Sequence, residues 1–309
     1  MKRILNNGIS LMVVVIVLFL IIPLPTQLLD VMLVINIALS IIILLTVSCS
    51  NELAEKPHAG GTPIGIGEIS TRADGTPTWV WLQNDQLTAT VNGLTAVYTR
   101  TGSGGWTCGN TGFTKEALGT VAANDIALTF GTQALITDQT SPESYRLADY
   151  MTGNGSLDFL TIDGTLSHRY TDLVIEITEG NGWTEGQFAS TMADASELTV
   201  NMSNPAGRVS ACHNAATFRA IIPPANLPKG TGVSLATLTL GSGSGTPASL
   251  KGQTATITYN NTNNEANLEG KRLTLTASLD ISLDVTITVT GITIADFYYQ
   301  PVGSTFTPD

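Results

Sequence analysis

Three histidines, three cysteines and a scatter of carboxylates are the side chains with chemistry to offer in these 309 residues. Cys212 and His213 are adjacent and have the types needed for a thiolate–imidazole nucleophile. Neighbours on a strand point to opposite faces, however, so the two are read as unrelated. His168, in LSHRYTDL, is expected to pack or hydrogen-bond within a strand, and His58 falls in a stem after Cys49. Asp149, Asp158 and Asp163 form a loose acidic group without the spacing or closing glutamate of a calcium loop. They are read as solvated loop carboxylates, and no metal site is expected. GIGEIS and TGSGGW are glycine-rich, but neither runs into a GK[ST] helix start, so a phosphate cradle is not indicated. Trp79, Trp81, Trp106 and Trp183 could line a sugar-binding face; Trp79 and Trp81 share one face of a strand, and core packing is the expectation. No catalytic centre emerges, no cofactor is implied, and the chain is not read as an enzyme.

None of Cys49, Cys108 and Cys212 lies in a C-x-x-C, so the usual zinc and thioredoxin spacings are absent. If Cys49 carries lipid, two thiols remain. Cys108 and Cys212 either pair in an oxidising compartment or stay as unpaired, buried thiols. The formal net charge is −11; Lys2, Arg3 and Asp30 make residues 1–49 +1, which leaves −12 for the rest. So acidic a body repels nucleic acid and anionic lipid.

The elements that must position these residues begin at 50, because the first 49 are of another kind. Two apolar runs, 9–22 and 31–47, flank PLPTQLLD. They hold 14 and 17 residues, short for spanning helices of about 20. They form either a helical hairpin kinked at Pro23 and Pro25, or an export signal ending at Cys49. IIPLPTQLLDVMLVINIALSIIILL resembles the first membrane segments of the flagellar and type III export-gate family. That resemblance stops near residue 47, and the export-gate function is not carried over. LLTVSC, 44–49, resembles a bacterial lipobox, with Thr46 where Leu is usual. A leader of 48 residues exceeds an ordinary signal peptide; a start at Met32 restores the length but lacks the positive beginning. The lipoprotein reading, with Cys49 as the lipidated residue, is preferred.

From residue 50 the chain alternates apolar and hydroxyl residues in short runs. TWVWLQNDQLTATV (78–91), LVIEI (173–177), FRAIIP (218–223), TATITYN (254–260), RLTLTASL (272–279) and DVTITVTGITIADF (284–297) read as strands. Gly-, Ser- and Asn-rich turns between them suggest β-sandwiches. SYRLADYM (144–151) is the best short helix candidate.

The order of landmarks then carries a second resemblance. Trp79…NDQ, TDQTSPESYRLADYM, LSHRYTDLVIEI, PPANLPKG, EGKRLTL and GITIADF follow one another over residues 78–297. The order resembles the fimbrillin family of Bacteroides-type bacteria, subunits and accessory proteins of type V pili. The chain departs from it at Leu273 and Phe297, where Tyr and Trp are usual, and in its PPANLPKG turn. The resemblance implies an all-β chain: a leader (1–49), then two transthyretin-like β-sandwich domains (50–158 and 159–309). It implies a lipid-anchored precursor at the outer membrane and cell surface. It also implies partners: other pilus subunits, joined by strand exchange after a trypsin-like protease removes the first strand, and a host or bacterial surface ligand. Arg72 in EISTRADGTP is the best candidate cut site and Arg100 the weaker one. The strand lost lies near PIGIGEIS (63–70), where Ile64, Ile66 and Ile69 alternate imperfectly. The tail YYQPVGSTFTPD holds Pro301 and Pro308, which favours a terminal or accessory subunit over a shaft subunit. The alternative is a surface lipoprotein that binds carbohydrate or a host protein without polymerising.

Overall fold

The computed structural model of the chain describes residues 61–71, 80–194, 196–203, 206–262 and 267–297. The leader, Cys49, His58, Arg72, Trp79 and the tail from 298 lie outside them. The described residues are nearly all β, as the alternation predicts.

The first sheet has seven strands in the order β1-β7-β6-β5-β2-β3-β4: β1 (Gly65–Ser70), β2 (Gln86–Val91), β3 (Leu94–Arg100), β4 (Trp106–Cys108), β5 (Ile126–Phe130), β6 (Met151–Asp158) and β7 (Thr161–His168). Neighbours pair antiparallel except β1 and β7, which are parallel. A two-residue turn, Asn92-Gly93, joins β2 to β3 with positive φ at both residues, the backbone that matches the right-handed twist of a hairpin. The two ends of the sheet approach each other: Pro63 bridges Thr114 just past β4, and Tyr98 of β3 donates to the Ile64 carbonyl at 2.9 Å. Ile64, Leu87, Tyr98, Ile126, Phe130 and Ile162 fill the core inside. Of the strand expected over 78–91, the described part before Gln86, residues 80–85, is not strand. Asn84, at φ 72°, turns the chain before β2.

Two further sheets face each other as a sandwich. One runs β10-β9-β13-β14: β9 (Glu197–Ser203), β10 (Ala206–Ser210), β13 (Gly230–Thr239) and β14 (Thr254–Asn261). The other runs β11-β12-β8-β15-β16: β8 (Thr171–Glu179), β11 (Cys212–Asn214), β12 (Thr217–Ile222), β15 (Lys271–Asp280) and β16 (Thr286–Asp296). Leu173, Ile175, Phe218, Leu273 and Leu275 from one meet Leu198, Val200, Leu238 and Ile257 from the other. The chain passes from the first sheet to the sandwich at Arg169–Tyr170. Residue 158, where the break was expected, ends β6, and β6 pairs with β7 along its whole length. The hairpin keeps both strands in the first sheet because Leu157 and Ile162 pack on that core.

Among the described residues three short α-helices punctuate the strands: α1 (Lys115–Leu118), α2 (Pro142–Leu147) and α3 (Gln187–Ala193). Ser141 caps α2 in a reciprocal capping box with Ser144, and Pro142 occupies its first turn. None of these helices is long and apolar enough to cross a membrane.

Candidate functional site

Charges set inside apolar strands define the most tightly built polar region. In β8, Leu173 and Ile175 face the sandwich core, so Asp172 and Val174 face outward. Cross-strand partners share a face, which puts Ile221 and Arg272 beside Asp172, and Arg219 beside Val174. The segment 136–150, carrying α2, covers that outer face. Asp172 is fully buried and receives three donors: Tyr145 Oη at 2.7 Å, Arg272 Nε at 2.7 Å and Arg219 Nη2 at 2.9 Å. Burial alone would push its carboxyl up; the two guanidiniums outweigh that and hold it below the ordinary aspartate value. Burial likewise drives the Tyr145 phenol well up, so it stays a neutral donor.

Gln139 adds a main-chain mimic. β11 pairs with β12 only through Thr217–Arg219, so the Ile221 backbone is left open. The Gln139 amide closes it, accepting from Ile221 N at 2.7 Å and donating to Ile221 O at 2.8 Å.

His168, the last residue of β7, sits 2.6 Å from Asp149 through Nδ1 and packs at a tilt on Phe297, ring centroids 4.2 Å apart. Asp149 is therefore not a solvated loop carboxylate; it is fully buried against His168. Asp158 is exposed at the end of β6, whereas Asp163 accepts the Glu68 amide at 2.6 Å. No group of histidine, cysteine and carboxylate among the described residues could hold a metal ion.

The landmarks quoted from the sequence thus meet at one place. Gln139, Arg146, Asp149, His168, Arg272 and Phe297 come from four of those stretches and build the joint between first sheet and sandwich. His168 packs and hydrogen-bonds at the end of a strand as expected; the roles of the other five were missed because each stretch was read for pattern. The available signal was a lone charge inside an apolar run: Asp172 before LVIEI, Arg219 in FRAII, Arg272 before LTL.

The other candidates scatter. Of the two alternatives for Cys108 and Cys212, disulfide or unpaired thiols, the structure has the second: half-buried Cys108 in β4 and buried Cys212 in β11 are free thiols. Cys108 sits in the first sheet and directs its thiol to Asn110 O, while Cys212 packs with Tyr145, Ile221 and Phe297 in the joint. His213 points away from Cys212 and stacks on Phe218 at 4.6 Å. Trp81 meets Trp106 and Phe130 edge-on, and Trp183 donates to Leu279 O at 2.8 Å while packing on Phe188. All three tryptophans are partly buried and pack against the two cores.

The first strand is the second notable site. Among the described residues β1 is an edge, paired on one side, to β7. Gly65 and Ile66 pair with Thr161 and Ile162, and Ile69 with Gly164, so three steps on β1 match two on β7. This bulge turns Ile69 to the same face as Ile66. It is why the isoleucine spacing looks imperfect while Ile64, Ile66 and Ile69 all reach the core. Polar ties on the strand and the residues before it include Gly65 N to Leu160 O at 2.8 Å, Tyr98 Oη to Ile64 O, Glu68 N to Asp163, and Thr62 to Glu116 at 2.6 Å.

No family model and no curated protein matches the chain. Among solved structures it is similar to a candidate cell adhesion protein from Bacteroides ovatus (14% identity, TM-score 0.49, 78% of this chain and 99% of that one). It is also similar to one from Bacteroides uniformis (13%, 0.44, 78% and 99%) and to a fimbrial protein from Bacteroides ovatus (14%, 0.37, 72% and 50%). At these identities and TM-scores the likenesses assign no function.

Proposed function

We propose that this chain is a cell-surface, fimbrillin-like structural or accessory pilus subunit. Cys49 anchors it by lipid in the outer membrane, and it joins its neighbours by strand exchange after cleavage at Arg72. The reading assigns it no catalytic role. β1 carries the proposal: a short edge strand, pairing parallel and interrupted by a bulge, fills part of the first core and immediately precedes Arg72. Parallel pairing is slightly weaker per residue than antiparallel. Removing β1 opens the β7 edge, together with the places of Ile64 and Ile69, to an extended segment of another copy. The order of sequence landmarks supports the same reading. Native electrophoresis after trypsin tests it. The treated chain should give a ladder of assemblies, and Arg72→Gln should stay monomeric. A treated chain that loses β1 yet remains monomeric overturns the reading in favour of a non-polymerising surface lipoprotein.

A further inference from the structure

An open cleft of about 700 Å³ lies beside the crossing at Arg169–Tyr170, within the size range of small-ligand sites. Two tyrosines stand in its wall, Tyr150 and Tyr170, with ring centroids 5.6 Å apart and planes inclined by 44°. Gln133 holds both: its side chain donates to Tyr150 Oη at 2.9 Å, and its carbonyl accepts from Tyr170 Oη at 2.8 Å. Opposite them Arg169 donates to Glu269 at 2.6 Å and to Thr152 Oγ1 at 2.5 Å. Arg169 and Glu269 are about half exposed (46% and 43%).

A second hollow, of about 530 Å³, crosses the outer face of β5, β6 and β7 and shares Thr152 and Arg169 with the cleft. Two cross-strand rows pave it, Thr129–Thr152–Ser167 and Ala127–Asn154–Thr165. The two hollows form one trough, aromatic at one end and lined with hydroxyl and amide groups along the rest.

Its chemistry narrows the ligand. Arg169 is already paired with Glu269 and the chain is strongly acidic, which disfavours an anion. The floor is made of interior strands with both edges paired, so an extended peptide finds no free backbone to join. The polar floor offers little to a lipid. A flat, uncharged, polyhydroxylated chain fits: a sugar ring packs its C–H face on an aromatic ring, and its hydroxyls exchange hydrogen bonds with Thr, Ser, Asn and the Arg–Glu pair.

We propose that this trough binds a neutral oligosaccharide. One ring lies against partly exposed Tyr150, which buried Tyr170 backs, and the following units run over Thr152 onto the face of β5–β7. This goes beyond subunit assembly: β1 lines no part of the trough but pairs with Thr165 in it through Ser70, so binding is read on the uncleaved chain, with β1 in place.

The test is an array of neutral, sialylated and sulfated oligosaccharides probed with the full chain, with solution titration of the strongest binder. At least one neutral oligosaccharide should bind. Tyr150→Ala and exposed Asn154→Lys should each weaken it roughly tenfold or more, and Tyr150→Phe, which keeps the ring, should retain most of the binding. Asn154→Lys guards against a folding artefact at Tyr150, because its side chain lies on the surface. Silence from every neutral glycan, binding confined to charged ones, or affinity unmoved by both Tyr150→Ala and Asn154→Lys would overturn the proposal. Each result reads the trough alone: assembly after trypsin is scored separately, and either can fail without the other.

Discussion

Arg146 on α2 donates both terminal guanidinium nitrogens to Asp85, at 2.6 and 3.0 Å, with both side chains buried. Its neighbour Tyr145 donates to Asp172 of the sandwich at 2.7 Å. Adjacent residues of one short helix thus grip two bodies, Arg146 the lead-in to the first sheet and Tyr145 the outer face of the second half.

Removing Arg146 leaves Asp85 buried without its counter-charge, still accepting from the Leu82 amide. Arg146→Ala should cost about 3–5 kcal/mol in urea unfolding of the full chain. Arg169→Ala, which breaks a half-exposed pair, should cost under about 1 kcal/mol. Equal losses would show that the Asp85–Arg146 link does not hold the joint.

Acid should loosen the joint through Asp172. Its folded carboxyl titrates below the ordinary value of 3.8, so its contribution to stability is fully present above that value. The contribution is lost as the pH falls past 3.8 and on through the lowered value. Asp172→Asn should lower stability at neutral pH and flatten the stability–pH curve in that acid window. An unchanged slope in the variant would place the acid sensitivity elsewhere.

Gly270 adopts φ +66°, and a Cβ there would lie 2.8 Å from the His168 carbonyl oxygen. Gly270→Ala should therefore destabilise by more than about 1 kcal/mol, through both strain and displacement of β7. Thermal melting checks this, with Gly93→Ala as the comparison: its φ is also positive, but no atom crowds the added Cβ.

The two described thiols should differ in reactivity. Cys108 is half-buried, whereas Cys212 is buried and burial pushes its thiol pKa up. Iodoacetamide should label Cys108 in the native chain well before Cys212, and both after denaturation. A mass corresponding to a Cys108–Cys212 bridge would contradict this arrangement.

Period-two alternation made most of the sandwich legible: the runs at 254–260, 272–279 and 284–297 are β14, β15 and β16. It misled at 80–85, where Asn84 turns the chain, because one residue at positive φ leaves no trace in hydropathy. The joint was invisible for another reason. Asp85 and Arg146 lie 61 positions apart, and Asp172 and Arg272 lie 100 apart. Spacing along the chain cannot show that such charges meet. Asp149 looked like a solvent carboxylate for the same reason, its partner His168 being a strand away.

β1 is the central claim, and rebinding of that strand tests it most directly. The full chain is treated with trypsin, the core beyond Arg72 is freed of its N-terminal fragment in mild denaturant and returned to buffer, and a labelled peptide of residues 61–71 is titrated in. The account predicts a single early cut at Arg72, a core that keeps its β-sheet circular dichroism, and saturable peptide binding that Ile64→Asp and Ile69→Asp in the peptide abolish. A chain that resists cutting at Arg72, or a cut core that unfolds and ignores the peptide, would contradict it: β1 would then be an integral strand of the first sheet.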